Sequence, residues 1–268
     1  NKTAQGKTMK NPKKNILIIA GSDSVGGAGV QADIKTCEAY GCYSATAITA
    51  LTAQNTNGVS AVMPVTPEFL NAQLEAVCAE LKFDAVKIGM LFNEQLIACV
   101  KAWLEQNRGI PAVIDPVCVA KSGAKLLQEG AINALKELLS LARVATPNLD
   151  EARILGLNFD GERLNLSTDL PCDVVLKRTQ TSEICEDTLY KKSGEIVKFG
   201  EPLERPTIMH GAGCSFATAI ACALACGADE ITAIRHAKAF VANAIKNAHG
   251  SNFGARLLDH KATGANRG

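Results

Sequence analysis

A chain of 268 residues, 47% hydrophobic and 21% charged, holds enough apolar material for a sizeable core and is excluded from the disordered class. Its 28 Lys and Arg stand against 27 Asp and Glu, and a formal net charge of +1 excludes a global field that would recruit nucleic acid or an anionic membrane. Recognition is therefore expected to be local. In chain order, residues 1–14 come first, polar and lysine-rich, without the apolar run of a signal peptide. They are expected to be disordered or artificially added. No run reaches the roughly 20 apolar residues that span a bilayer, so a soluble, cytoplasmic protein is expected.

Asn15 to Ala20 reads as a strand, followed by a Gly-rich turn and a helix from Ala28 to about Tyr40; Tyr43 to Ala50 reads as the next strand. A helix is predicted over Pro67 to Leu81, with Pro near its first turn, then a strand over Ala85 to Ile88 and a helix from Asn93 to Gln106. Strand Pro111 to Asp115, helix Glu129 to Leu141, strand Arg143 to Thr146 and a helix opening near Asn148 complete the alternation. Such alternation implies a largely parallel sheet with helices on both faces. Beyond Gly156 the pattern changes. Asn158 to Pro171 is polar and irregular, whereas Asp173 to Lys177, Ile184 to Tyr190 and Glu195 to Phe199 read as successive strands around the turn signal Lys192-Ser193-Gly194. These should add antiparallel strands at a sheet edge. Two final helices, Cys214 to Cys226 and Asp229 to Ala248, precede a tail from Gly250 with no pattern. With no internal repeat or linker, the expectation is one α/β domain of three layers over residues 15–249, with 250–268 as tail.

Ten cysteines, at positions 37, 42, 78, 99, 118, 172, 185, 214, 222 and 226, form no Cys-x-x-Cys pair and no zinc spacing, which fits reduced thiols in a core. Cys222 and Cys226 share a helical face but lack a His or acidic partner nearby in sequence, and no metal site is expected there.

The unusual residues fall in the loops that follow strands, where a doubly wound sheet collects its ligands. Ala20 to Gly29 lacks the Gly-x-Gly-x-x-Gly spacing of a dinucleotide fingerprint; Gly26-Gly-Ala-Gly29 is a flexible backbone wrap before a helix that carries Gln31 and Asp33. Asp115 ends one strand. Asn148 and Glu151 follow another, one helical turn apart, where they fit either a helix-capping box or hard oxygen ligands for a Mg-nucleotide. His210-Gly-Ala-Gly-Cys-Ser215 stands directly before a long apolar run, and glycines there let unpaired N–H groups close around an anion favoured by the helix's positive end. Cys214 sits at the mouth of that turn. A helix N-terminus lowers the ordinary thiol pKa of about 8.5, which predicts a thiolate or base beside a transferring phosphoryl group; the alternative is a small buried apolar residue.

Seven strings in register, Ala20-Gly-Ser-Asp-Ser24, Gly26 to Asp33, Thr46 to Thr56, Asp84 to Leu91, Asp115-Pro-Val117, Thr146-Pro-Asn-Leu-Asp-Glu151-Ala and Gly211-Ala-Gly-Cys214, closely resemble the hydroxymethylpyrimidine/phosphomethylpyrimidine kinases of thiamine biosynthesis, in the ribokinase-like superfamily. The likeness covers about Asn15 to His249. It implies an enzyme, commonly a homodimer, that uses ATP and Mg²⁺ to phosphorylate the primary hydroxyl of 4-amino-5-hydroxymethyl-2-methylpyrimidine, and often the monophosphate in turn. It also implies that Gly21, Asp33, Gln54, Met90 and Val117 line the pyrimidine pocket. Chemistry agrees, because the amide of Gln54 can meet both the amine and the ring nitrogen of an aminopyrimidine while Met90 and Val117 supply apolar faces. By the same resemblance Cys214 is the base, the N–H groups of Gly211, Ala212, Gly213 and Cys214 stabilise the transferring phosphoryl, Asn148 and Glu151 organise Mg²⁺ through water, and Lys177 approaches the nucleotide phosphates with Asp115 beside them.

The chain departs from the pattern at Leu176-Lys-Arg-Thr179, where related sequences usually have Leu-Lys-Gly-Gly, and at Met209-His-Gly-Ala-Gly-Cys-Ser215, where they usually have Thr-His-Gly-Thr-Gly-Cys-Thr. The segment before Cys172 is also shortened. These departures bear on ATP affinity and on the second phosphorylation. Two alternatives stay open: a pyridoxal kinase, since superfamily members with the same cysteine accept a hydroxymethyl pyridine, and a non-catalytic pyrimidine-binding relative.

Overall fold

β1 (Asn15–Asp23) runs through the centre of the molecule with Ile16, Leu17, Ile18 and Ile19 fully buried. Side chains alternate across a strand, so Leu17 and Ile19 enter one apolar core while Ile16 and Ile18 enter another. A strand apolar on both faces belongs inside a parallel sheet covered on both sides. The computed structural model, which describes residues 13–119, 123, 126–160, 163–164, 169–180, 183–203 and 209–261, has this architecture.

After β1 come α1 (Gly29–Ala39), β2 (Tyr43–Asn55), β3 (Gly58–Pro64), α2 (Pro67–Glu80), β4 (Ala85–Ile88), α3 (Glu94–Gln106), β5 (Ala112–Ile114), α4 (Ile132–Leu139), β6 (Val144–Ala145) and α5 (Leu149–Ile154). Then follow β7 (Phe159–Asp160), β8 (Arg163–Leu164), β9 (Asp173–Gln180), β10 (Ile184–Tyr190), β11 (Ile196–Pro202), β12 (Met209–His210), α6 (Ala212–Ala225), α7 (Glu230–Lys246), β13 (His249–Gly250) and β14 (Arg256–Leu257). Nine strands form the main sheet in the order β11-β10-β9-β6-β5-β4-β1-β2-β3. From β2 to β9 every neighbour is parallel; β3 at one edge and β10 and β11 at the other run antiparallel.

One core takes Leu70 and Leu74 of α2, Leu96 and Ile97 of α3 and Leu135 and Leu138 of α4. The opposite core takes Val30 of α1, Phe216 and Ile220 of α6 and Ile234 and Phe240 of α7. α6 is apolar nearly all round because it packs against α1, α7 and the sheet at once. The predicted three-layer α/β fold with antiparallel edge strands is therefore observed. Among the described residues no helix is long and apolar enough to cross a membrane.

Two expectations need correction. The strand expected to stop at Ala50 continues to Asn55 and returns as β3, through a turn in which Asn55 Oδ1 accepts from the N–H groups of Asn57 and Gly58. The hairpin projects beyond the helical layers, so its exposed Leu51 and Met63 blur the hydrophobic alternation that marks a strand. The stretch from Gly250 also has structure: β14 pairs with β12 and β13, and Leu258 enters the second core. Paired segments of two residues are too short to carry a periodic signal. Residues 1–12 and 262–268, assigned to the leading segment and tail, lie outside the described residues, as do parts of the irregular stretch between Asn158 and Pro171.

Candidate active site

Most helices here begin with a polar side chain that caps them: Thr66 on α2, Asn93 on α3, Asn148 on α5 and Asp229 on α7 each accept a first-turn N–H. α1 and α6 begin at Ala28 and Gly211 with no side-chain cap, and both open on the same cleft at the carboxyl ends of the parallel strands. Their first-turn N–H groups are the donors a helix leaves without an internal partner. The two turns interlock. Asp23, at the end of β1, accepts from the N–H groups of Gly27 at 3.0 Å and Ala28 at 2.7 Å, and meets His210 Nε2 at 2.8 Å. Burial pushes the Asp23 carboxyl up, but His210 and the amides of Ala28 and Val25 together hold it below the ordinary carboxylate range. Gly211 has φ +86°, and a Cβ there would lie 1.7 Å from the carbonyl oxygen of Gly27. Only glycine fits that contact.

Gly21, Gln54, Met90 and Val117 line this cleft, together with Asp115, Asn148, Glu151, Lys177 and the run Gly211 to Cys214. Gln54 Oε1 accepts from Thr52 Oγ1 at 3.1 Å, so its amide is already oriented. Met90 packs with Ala50 and Leu126, and Val117 packs against that small cluster. Asp33 is the exception. It is fully buried beneath the cleft, with Lys87 Nζ on Oδ2 and Thr218 Oγ1 on Oδ1, both at 2.7 Å, and it is not part of the lining. A buried carboxylate without such partners would be costly, so its place is under α6, bracing Lys87.

Lys87 does reach the cleft, although its side chain is inaccessible to solvent. Burial alone would lower its pKa, yet the carboxylate of Asp33, with Asp115 beside it, raises it above the usual lysine value. Cys214 receives a hydrogen bond from the Gly29 amide, and burial outweighs that bond and the Lys87 charge, pushing the thiol up to about 11. The sequence left a thiolate, a base or a small buried residue open at Cys214, and burial favours the protonated thiol over a resting thiolate. Desolvation defeats the helix end, and the thiol is neutral near pH 7.

On the far side of the Gly213 backbone, Lys177 Nζ donates to Asp115 Oδ1 at 2.6 Å and lies 3.9 Å from Glu151 Oε2. Thr146 Oγ1 donates to the same Asp115 oxygen. Despite burial, these carboxylates raise Lys177 above its ordinary pKa. Burial also raises Glu151, opposed by Lys177 and reinforced by Asp115. Asn148 and Glu151 do form a capping box, yet both face the cleft, so the two readings of that motif are compatible. A second cavity shares Lys177, Ala212 and Gly213 with the first and continues over Met209, Phe216, Val241 and Ile245, with Asp187, Glu201 and Lys238 also in its wall. Ala212 thus touches both cavities. Arg178 and Thr179 belong to β9, but their side chains lie outside those described.

The sequence model of the phosphomethylpyrimidine kinase family matches residues 23–259. The chain belongs to the phosphomethylpyrimidine kinase family. The hydroxymethylpyrimidine/phosphomethylpyrimidine kinase of Rhizobium meliloti is 41% identical over 244 residues, 87% of this chain and 90% of that protein. The protein of the same name from Haemophilus influenzae is 38% identical over 246 residues, covering 87% and 91%. A thiamine biosynthesis bifunctional protein, ThiED of Geobacter sulfurreducens, is 39% identical over 93% of this chain, which spans only 52% of that relative's length. Among solved structures, the ADP complex of Bacillus subtilis pyridoxal kinase superposes with a TM-score of 0.84 at 32% identity, covering 95% of this chain and 100% of that one. Clostridium difficile phosphomethylpyrimidine kinase gives 0.73 at 33% identity, covering 87% and 100%. The fold of this kinase is accordingly ribokinase-like.

Three ionisable residues of the cleft received no role from sequence: Lys87, Asp23 and His210. A signal existed for the first, because a lysine inside the short apolar run Ala85-Val-Lys-Ile88 breaks the rule that buried strands exclude unpaired charge. Asp23 and His210 lie in two of the strings singled out above, but nothing in the sequence pairs them across 187 residues.

Proposed function

We propose that this kinase transfers the γ-phosphoryl group of ATP to the primary hydroxyl of 4-amino-5-hydroxymethyl-2-methylpyrimidine, and to its monophosphate in a second step. The observation that carries the reading is the pair of cavities meeting at the uncapped start of α6, one lined by Gln54, Met90 and Val117, the other by Met209, Phe216, Val241 and Ile245 beside Lys177. The pyrimidine occupies the first, its amine and ring nitrogen read by Gln54. The nucleotide base enters the second, which directs its phosphates toward Lys177 and Gly213. Phosphoryl transfer has a loose transition state, so positioning and charge stabilisation matter more than covalent assistance. The N–H groups of Ala212, Gly213 and Cys214 supply that stabilisation. Cys214 acts from its thiolate form, the minor species because burial favours the thiol: the thiol proton leaves to water, and the thiolate takes the hydroxyl proton late, when bond formation to phosphorus has made that proton acidic.

Mg²⁺ fits the donor set only in a particular way. Among the described residues no cluster of three or more His, Cys, Asp or Glu could hold a metal ion, and Asp115 and Glu151 already face Lys177. Mg²⁺ retains waters and leans on substrate phosphates, so Asn148 and Glu151 would hold it through water, where it would neutralise phosphate charge. Exposed Leu51 and Met63 on the β2–β3 hairpin would give a homodimer an apolar contact.

Pyridoxal is a second acceptor to weigh, because a pyridoxal kinase superposes at 0.84. Steady-state ATP turnover with the pyrimidine, its monophosphate and pyridoxal, run in parallel, separates the readings. Turnover with pyridoxal alone, or pyrimidine binding without turnover, would sink the proposal. Replacing Cys214 by Ala is expected to lower kcat by roughly 10² while leaving pyrimidine affinity nearly unchanged.

A further inference from the structure

A glutamine amide carries an acceptor at one end and a donor at the other, and the two ends have nearly the same shape. Turned end for end, Gln54 would therefore present the cleft with the opposite pattern. Its backbone is fixed, because Ser24 Oγ donates to the Gln54 carbonyl at 2.9 Å and accepts from the Gln54 N–H at 2.8 Å. The orientation of the amide is settled by Thr52, two residues earlier in β2 and also in the cleft wall. The Thr52 hydroxyl shares its hydrogen between the Ser22 carbonyl oxygen at 2.8 Å and Gln54 Oε1 at 3.1 Å. Ser22 is held in turn, its hydroxyl accepting from Gln31 Nε2 at 2.8 Å while Gln31 Oε1 accepts from the Asp23 N–H at 2.9 Å. Oε1 is thus tied back to the end of β1, and Nε2, without a protein partner among the described residues, is left to the cleft.

We propose that Thr52 is a positioning residue that fixes the Gln54 amide end for end, so that the cleft selects a heterocycle with an amine beside an unprotonated ring nitrogen over one with a carbonyl beside a ring N–H. The inference rests on the reading of Gln54 as the residue that meets the acceptor substrate. With Oε1 held on Thr52, its second lone pair accepts from the amine and Nε2 donates to the ring nitrogen. The 4-oxo analogue of the pyrimidine reverses both groups. Its oxygen faces Oε1 and its ring N–H faces Nε2, and a site built on hydrogen bonds discriminates steeply against a ligand that leaves them unmade. Sliding the ring to restore one bond would move the hydroxymethyl group off line, where a misplacement of about 1 Å costs roughly 10² in rate. Without the Thr52 hydroxyl nothing holds Oε1, and the amide can turn to serve either ligand.

The test measures kcat/KM for the aminopyrimidine and for its 4-oxo analogue in the parent chain, in Thr52→Val and in Thr52→Ser. Valine keeps the shape of the side chain and removes the hydroxyl; serine restores the hydroxyl. The parent chain is expected to favour the amine, the preference to fall at least about tenfold in Thr52→Val, and Thr52→Ser to recover it. A merely structural defect lowers both rates together and leaves their ratio alone, so the ratio is the readout. An unchanged ratio in Thr52→Val overturns the proposal, as does a ratio that serine fails to restore or a parent chain that takes both ligands equally. A titration of the parent chain with each pyrimidine in the absence of ATP separates the two levels of inference. If neither binds, the functional reading falls and the role of Thr52 with it; if the amine binds and turns over but the ratio is unmoved in Thr52→Val, only the role of Thr52 falls.

Discussion

Replacing Gly211 by Ala probes the interlock of the two glycine turns at the point of tightest fit. At φ +86° any L-residue carries the left-handed penalty, about 1–2 kcal/mol. The added Cβ also meets the Gly27 carbonyl oxygen at 1.7 Å and its carbon at 2.8 Å, where Cβ contacts below 3.0 Å are essentially never seen. One backbone must retreat by more than an ångström, and neither is free to. Asp23 holds Gly27 and Ala28 on one side and His210, the neighbour of Gly211, on the other, so relief displaces the N–H groups at the start of α6. A misplacement of about 1 Å costs roughly 10² in rate when geometry is the source of catalysis. Overpacking of this kind also costs about 1–3 kcal/mol, which lowers Tm by several degrees in a domain of this size. The control is Gly194→Ala, with φ +89° and nothing within 4 Å of the added atom; it carries the conformational penalty alone. Steady-state turnover and thermal unfolding of both variants should give lowered Tm in each but a collapse of kcat only in Gly211→Ala. Wild-type kcat in Gly211→Ala, or equal losses in both, would refute the reasoning.

Asp33→Asn strands Lys87 in a site where neither side chain touches solvent, and should cost about 3–5 kcal/mol in urea unfolding, much of it recovered in the double variant Asp33→Asn/Lys87→Met. A double variant as unstable as the single one would show that the pair is not what is being lost. His260 Nε2 bonds Ser215 Oγ at 2.9 Å beside Cys214, and burial lowers its pKa to about 4. Because the folded value lies below the unfolded one of about 6.5, its contribution is intact above pH 6.5 and declines as pH falls, by about 3 kcal/mol at pH 4. The stability gap between the parent chain and His260→Gln should therefore narrow between pH 7 and pH 4; a constant gap across urea titrations at those pH values would contradict the assignment.

Local chemistry explains which parts of the molecule were legible in the chain. Thr66-Pro67, Asn93, Asn148 with Glu151, and Asp229 announce helix starts because a cap acts within one turn, and all of these helices begin where the pattern puts them. The central strands were legible because β-branched runs bounded by turns leave little alternative. β3 and β14 escaped, the first because it extends past the helices that would sort its faces, the second because two paired residues have no period. At the site, positions set by a strand end or helix start, such as Gly21, Asn148 and Gly213, fell where expected, whereas Asp33 did not. Its partners are 54 and 185 residues away, and pairing at that range is a property of packing. The same distinction separates the two readings of Cys214. A helix end can be seen in a string of residues; desolvation by α1, β4 and the glycine turns cannot.

That outcome for Cys214 shifts the weight of the chemistry. Each lysine at the cleft comes with its own carboxylate, Lys87 with Asp33 and Lys177 with Asp115, so neither presents an uncompensated charge to an arriving phosphate. The thiol is neutral. What the cleft offers an anion without competition is the backbone of α6's first turn, aimed by a glycine that no other residue can replace without moving Gly27. Amide donors fixed in this way need no reorganisation when charge develops on the transferring group, which is the condition under which they stabilise it most. The sensitivity of turnover to Gly211 should therefore equal or exceed its sensitivity to Cys214, an ordering that a general-base mechanism alone would reverse.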